Sequence, residues 1–350
     1  MTTSVSGRPL AAVVMAAGEG SRMKSARPKP IHRLCGRPMV LHVLDALESL
    51  HLERAVVVVG HGAERVRNSL LDEAPAGLPL EFVTQLEQRG TGDAVSVALT
   101  AFSAEELDDE AEGDIIVMPG DQPLFRPETL AGLVHTHVSS DAGATVLTAI
   151  LDDATGLGRV VRGKGDRIRQ IVEHRDATPE QLAIHEINTS VYVFKRSLLA
   201  PALRRLSPEN SQGEYYLTDV IQVLYEAGYN VVSHVVPDPS EADGVNDRAQ
   251  LARAEAELRS RTNLRLMKAG VSLVDPAHTY IDASVAIGTD STIYPGCVLQ
   301  GSTVIGSGCE IGPNVRLVNC TVGDRARIEF STAREAVIAP DAVVGPFAAL

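Results

Sequence analysis

Residues 281–317 read IDASVAIGTDSTIYPGCVLQGSTVIGSGCEIGPNVRL, and an aliphatic side chain returns every six positions: Ile281, Ile287, Ile293, Leu299, Ile305, Ile311 and Leu317. Four residues after these stand small or slender ones, Val285, Ser291, Cys297, Thr303, Cys309, Val315 and Thr321. Such a period fits neither the repeat of a helix face nor the alternation of a plain strand. It fits a β-helix in which each hexapeptide makes one short side and one turn of a coil, with the aliphatic residue pointing inward. After Leu317 the phase slips by one to Val322, resumes at Ile328 and is seen again at Ile338 and Val344 after a longer spacer, which predicts a loop or bulge. The pattern is still running at Leu350, so the solenoid is expected to be truncated or capped by a partner.

Just upstream, Asp247 to Lys268 contains no Pro or Gly. Leu251, Ala254 and Leu258 fall on one stripe, Glu257 stands four residues before Arg261, and Lys268 and Gly270 close the segment, so it reads as one long helix. The first half has another grammar. Short β-branched runs (Ala12 to Met15, Ala55 to Val59, Ile115 to Met118, Ala144 to Ile150, Ser190 to Phe194) alternate with stretches such as Val40, Val43, Leu44 and Leu47 at helical spacing. Continuous apolar strands alternating with helices predict a mostly parallel sheet covered on both faces, a doubly wound α/β domain. At 350 residues the chain exceeds one ordinary core, in keeping with two units.

Composition excludes several classes. A formal charge of -13 would repel a nucleic-acid backbone, so no nucleic-acid partner is expected. No apolar run approaches the roughly 20 residues that span a bilayer. The opening MTTSVSGRPL lacks the apolar core of a signal peptide, so neither membrane attachment nor export is expected and the location reads as cytoplasmic. Cys35, Cys297, Cys309 and Cys320 form no CxxC pair and read as reduced thiols.

The strongest chemical signal follows the first strand: Met15-Ala16-Ala17-Gly18-Glu19-Gly20-Ser21-Arg22-Met23, then Arg27-Pro28-Lys29-Pro30. A glycine-rich turn after a buried strand lets backbone N–H groups approach a phosphate chain, while Arg22 and Lys29 add fixed positive charge. The spacing is neither that of a P-loop nor the three-glycine dinucleotide fingerprint. Asp121 follows another apolar strand, at the carboxyl end of a parallel sheet where ligands bind, and its chemistry suits a Mg²⁺ ligand. Taken alone, Gln85 and Gln88 read as surface residues. The histidines, His135, His137, His174 and His185 among them, read as surface or packing groups.

These residues carry a resemblance. The glycine-rich segment with its Pro-Lys is similar to that of nucleotide-sugar pyrophosphorylases, and Gln85-Leu86-Glu87-Gln88-Arg89-Gly90-Thr91-Gly92 resembles one branch of them. That branch is the bifunctional N-acetylglucosamine-1-phosphate uridyltransferase and glucosamine-1-phosphate N-acetyltransferase family. Gly120-Asp121, Thr155 to Arg159, Ile171-Val172-Glu173, Glu186 to Thr189, Gly213 to Asp219 and Gly244 to Arg248 follow in family order, so the likeness covers nearly the whole chain.

The resemblance implies a Rossmann-like nucleotidyltransferase domain over residues 1–243, a linker helix over 244–270 and a left-handed parallel β-helix, truncated, over 271–350. It implies that UTP and N-acetylglucosamine 1-phosphate react to give UDP-N-acetylglucosamine and pyrophosphate, a precursor for cell-wall and lipopolysaccharide synthesis. By that likeness Arg22 and Lys29 are catalytic and Asp121 with Asn246 holds Mg²⁺. Ala16, Ala17, Gly18, Gly20, Lys29, Gln85, Gln88, Gly90 and Thr91 bind the nucleotide, and Gly158, Glu173, Asn188 and Thr218 bind the sugar phosphate. A homotrimer through the β-helix is implied, weakened by truncation, with a monomer as the alternative. Two departures stand near the site: Pro119, where a tyrosine or small polar residue is usual, and Ser21 in place of threonine. The family's acetyltransferase residues lie beyond Leu350, so that second activity is expected to be absent. Three alternatives stay open: a fragment of an intact bifunctional enzyme, a relative using another sugar phosphate or dTTP, and a non-catalytic regulatory homologue.

Overall fold

A computed structural model describes residues 7–350 except 76, 109 and 111. Six residues of the opening stretch weighed above as a signal peptide therefore lie outside the described residues. The chain forms two compact units, one made of Met39–Asp247 with the chain before Arg33, the other of Arg33–Pro38 with Arg248–Leu350.

Among the described residues the first unit is built on a nine-stranded sheet. Its main path runs Val231–Val235, Ala144–Ile150, Glu186–Lys195, Asp114–Pro119, Leu10–Ala16, Arg54–Val59 and Leu80–Thr84. All of these share one direction except Glu186–Lys195, which is antiparallel to both its neighbours. Leu10–Ala16 is apolar throughout because both of its faces are covered. Leu10, Ala12, Val14 and Ala16 pack into one core with the Met39–Glu48 helix, while Ala11 and Val13 pack into a second core with the Thr91–Ala98 helix. From Leu10–Ala16 the chain builds outward to one side and then crosses to pair Asp114–Pro119 on the other. Doubly wound sheets open a crevice at the carboxyl ends of the strands where the order reverses. Ala16, Val59, Thr84 and Pro119 end side by side there. The antiparallel strand brings its amino end, with Asn188, to the same edge.

The second unit holds the long helix, Arg248–Lys268, with the Glu257–Arg261 ion pair at 2.7 Å and Gly270 at φ 95° ending it. Leu266 joins the solenoid core, and Asn263 Nδ2 donates to the Pro276 and Thr279 carbonyls at 2.8 and 3.1 Å. The hexapeptides form three parallel sheets of five, four and four short strands. Their inward residues stack in columns: Leu273, Ile293, Ile311, Ile328 and Val344 on one, Ile281, Leu299, Leu317 and Ala333 on the next.

Two expectations are corrected here. The phase slip is neither a loop nor a bulge: Ile293 pairs with Ile311 eighteen residues on, Ile311 with Ile328 seventeen on and Ile328 with Val344 sixteen on. The coils tighten by losing turn residues, and the apparent spacer holds a strand, Thr332–Arg334, whose inward residue is Ala333. A methyl is too small to register in an aliphatic count. Because of the slip Thr321 faces outward, and Cys320 takes the slender inward place.

The hairpin Arg33–Pro38 belongs to this second unit. The Cys35 N–H donates to Glu255 Oε2 at 2.7 Å, and the Ala283 N–H donates to the Cys35 carbonyl at 3.0 Å. Gly36, at φ 81°, lies so close to the Asp282 carboxylate that a Cβ would overlap it.

Candidate active site

The site lies wholly in the first unit. Past Ala16 the chain opens into Ala17–Gly20 and a single helical turn, Ser21–Met23, anchored by buried Met23. Gly20 sits at φ 64°, and a Cβ there would stand 2.6 Å from Lys29 Cβ, so glycine lets the loop close over the lysine stem. Lys29 opens another short turn, Lys29–Ile31, fixed by the flanking Pro28 and buried Pro30.

From these two turns the cations converge on one pair of oxygens. Lys29 Nζ donates to Asp121 Oδ2 and, at 2.9 Å, to Asn246 Oδ1; Arg22 donates to the same Asn246 oxygen at 2.9 Å. Asp121 is held because the preceding Gly120 N–H donates to the Met15 carbonyl and the Val245 N–H donates to the Asp121 carbonyl, both at 2.9 Å. Pro119 pairs in register with Met15 as the last residue of its strand, so its missing N–H leaves the ladder intact. An anionic and an amide oxygen aimed at one positive centre are what a hard divalent cation takes from a protein when phosphate and water complete its shell. Among the described residues no group of three or more His, Cys, Asp and Glu could hold a metal.

Gln85 follows Leu80–Thr84, with its N–H on the Val59 carbonyl at 2.9 Å. Gln88 donates through Nε2 to the Ala17 carbonyl at 2.8 Å, tying this loop to the glycine-rich one. Gly90, at φ 109°, precedes the Thr91–Ala98 helix, and a Cβ there would lie 2.6 Å from the Tyr215 carbonyl oxygen. Thr91 Oγ1 accepts from the Leu217 N–H at 3.0 Å, and the Gly92 N–H donates to the Tyr215 carbonyl at 2.8 Å. The glutamine loop and the 213–219 segment thereby form one wall.

At the other end of the crevice Glu173 lies beneath Gly158, where a Cβ would meet its carboxylate oxygens at 3.5 and 3.6 Å. Thr218 Oγ1 donates to Glu173 Oε1 at 3.3 Å. Burial pushes the Glu173 carboxyl above the usual range, reinforced by Asp219 and Asp176. Asn188 donates to the Tyr192 hydroxyl at 2.7 Å across a bulge in which Ser190 takes φ 65°. Gln122, next to Asp121, donates to the Thr189 carbonyl at 2.8 Å and so links the two ends. The glycine-rich loop, the Asp121–Asn246 pair, the glutamine loop and the Glu173–Thr218 pair thus border one crevice.

Sequence reasoning missed three polar groups there: Asp93, Gln122 and Tyr192. Gln122 adjoins Asp121 and Asp93 follows Gly90-Thr91-Gly92, so proximity to a motif was a signal for two of them; Tyr192, inside a strand run, gave none. Of the histidines, buried His137 bonds Thr145 and Asp114 at 2.9 and 3.2 Å, near the opposite end of the Asp114–Pro119 strand, a packing role.

A doubly wound sheet with a glycine-rich cationic loop at its carboxyl edge, followed by a hexapeptide solenoid, defines a nucleotidyltransferase. Residues 12–226 match the MobA-like NTP transferase domain, and residues 284–319 match the bacterial transferase hexapeptide, six repeats. The chain is 48% identical over 339 residues to the bifunctional protein GlmU of an Exiguobacterium species, covering 97% of this chain and 72% of that one. With the bifunctional protein GlmU of Streptomyces avermitilis it shares 48% over 344 residues, 98% of this chain and 70% of the relative. With that of Thermobifida fusca it shares 45% over 333 residues, 95% and 68%. The chain belongs to the bifunctional GlmU family and is a uridylyltransferase of UDP-N-acetylglucosamine formation.

Proposed function

We propose that this crevice joins N-acetylglucosamine 1-phosphate to the α-phosphorus of UTP with Mg²⁺ as the metal. The observation that carries it is the convergence of Lys29 and Arg22 on the Asp121–Asn246 oxygen pair. A phosphate oxygen of the sugar phosphate attacks the α-phosphorus, the bond to the bridging oxygen breaks and pyrophosphate leaves with that electron pair. The attacking oxygen is already an anion, so no protein nucleophile or base is needed, and catalysis reduces to alignment and charge neutralisation.

Asp121 and Asn246 would hold the ion, whose charge would offset that of the substrate phosphates. Lys29 and Arg22 then carry their charge to the triphosphate, and the backbone of Ala16 to Gly20 cradles it. Gln85, Gln88, Gly90 and Thr91 receive the base. Glu173, Asn188, Thr218 and the Gly158 backbone receive the sugar hydroxyls and N-acetyl group. A hydroxyl left unpaired in such a pocket costs about 1–3 kcal/mol, which is how the pocket tells sugars apart.

Self-association through the solenoid, as a trimer, is part of this reading. Support comes from one face whose outward residues, Ala286, Val304, Thr321 and Val337, carry no charge, while the other two present Glu310 and Arg327, or Arg316 and Arg334. A cytoplasmic setting belongs to it as well. The four cysteines are free and buried, and no helix among the described residues is long and apolar enough to cross a membrane.

The test is pyrophosphate release with UTP, N-acetylglucosamine 1-phosphate and Mg²⁺, beside glucose 1-phosphate and dTTP controls. Release confined to the first pair is expected; equal release with glucose 1-phosphate or dTTP would overturn the substrate assignment.

A further inference from the structure

We infer that Asp93 is a specificity-determining residue, which locks the Gln85 amide so that the site offers the nucleobase a hydrogen-bond acceptor and selects uracil over cytosine. This rests on the uridylyl reading above.

Gln85 is almost fully buried, 6% exposed, and its backbone is pinned to Val59. Its Nε2 donates to Asp93 Oδ2 at 2.8 Å and to the Gly90 carbonyl at 3.3 Å. Both partners only accept hydrogen bonds, so the amide has one allowed orientation; turned over, it would set Oε1 against two acceptors and leave its donors unused. Oε1 has no partner among the described residues and is the atom left for a ligand. Gln88 shows the same polarity, its Nε2 spent on the Ala17 carbonyl.

An acceptor in this place asks for a donor on the base. Uracil supplies N3–H between two carbonyls; cytosine has an acceptor at N3 and would meet Oε1 with a lone pair. Asp93 does not itself face the base: it acts through Gln85 and is a positioning residue. As the third residue of the Thr91–Ala98 helix it lies in the first turn, where a negative charge is favoured, so the lock costs the fold little.

The test measures kcat/KM for UTP and for CTP, each with N-acetylglucosamine 1-phosphate, in the full chain, Asp93→Asn and Asp93→Ala. The wild type should prefer UTP. Both variants free the amide to turn, so efficiency with UTP falls, efficiency with CTP rises, and their ratio narrows by about tenfold or more. A purely structural role would lower both alike. An unchanged ratio in the variants, with an active wild type, overturns the role of Asp93 alone, whereas a wild type inactive on UTP removes the underlying reading too. Should both variants fail to fold, hydrogen exchange of the Gln85 side-chain amide in the wild type decides: protected protons support the lock, fast exchange overturns it.

Discussion

Lys29 and Asp121 form an ion pair at the carboxyl edge of the sheet, and the same ammonium donates to Asn246 at 2.9 Å. The lysine comes from a loop after the first strand and the carboxylate from the crossing strand beside it, so the pair is made by topology. Its side chains keep 12% and 29% of their exposure, which leaves both reachable by substrate.

Lys29→Ala is expected to fold normally and to lose about 10²–10³-fold in kcat, the scale of removing one preorganised charge from a phosphoryl-transfer site. Steady-state pyrophosphate release with circular dichroism checks both halves. Turnover near wild type would remove the assignment.

Asp121→Asn removes the only anion of the oxygen pair, and Asn246→Ala only an amide. The first should weaken Mn²⁺ binding, followed by electron paramagnetic resonance with UTP present, more than the second does. The reverse order would place the ion elsewhere.

Glu173 carries a pH dependence whose sign is fixed by its burial. Its carboxyl holds a proton more readily in the fold than in the unfolded chain, so stability falls as pH rises from the ordinary glutamate range through the raised value. Glu173→Gln should flatten that slope in denaturant titrations across pH. The same variant should raise KM for the sugar phosphate, since an amide offers one oxygen acceptor where the carboxyl group offers two. A slope unchanged by the substitution would refute the first expectation.

The coil phase gives a paired test. Ile311→Ala opens a cavity in the solenoid and should cost about 2–5 kcal/mol. Cys320→Asn forces an amide inward and should unfold that coil, while Thr321→Asn, one residue on, outward and adding no charge to its face, should stay within about 0.5 kcal/mol of wild type. Equal effects at the two positions, read by urea unfolding, would contradict the tightened coils.

Much of this was legible because it rests on side chains that announce themselves. Branched aliphatics at six-residue spacing and Gly-Gly-Arg-Pro-Lys after a buried strand each have one good physical explanation. Ala333 and Cys320 were missed because small inward residues look like turn residues in a string of letters. Asp93 was passed over because its role exists only through a second side chain, Gln85. The hairpin Arg33–Pro38 was invisible for another reason: nothing in its six residues says that its partners, Glu255 and Ala283, are over two hundred positions away.

That hairpin makes the division between the units a matter of space and not of sequence. The chain passes from one to the other at residues 32–33, 38–39 and 247–248. During synthesis the Cys35 segment leaves the ribosome long before Glu255 and Ala283 exist, so it must wait without these partners until all of the first unit has been made. A gene cut at residue 247 would therefore deprive each product of something, since the solenoid piece would lack a strand pair it needs and the other would carry that pair with nothing to pack against.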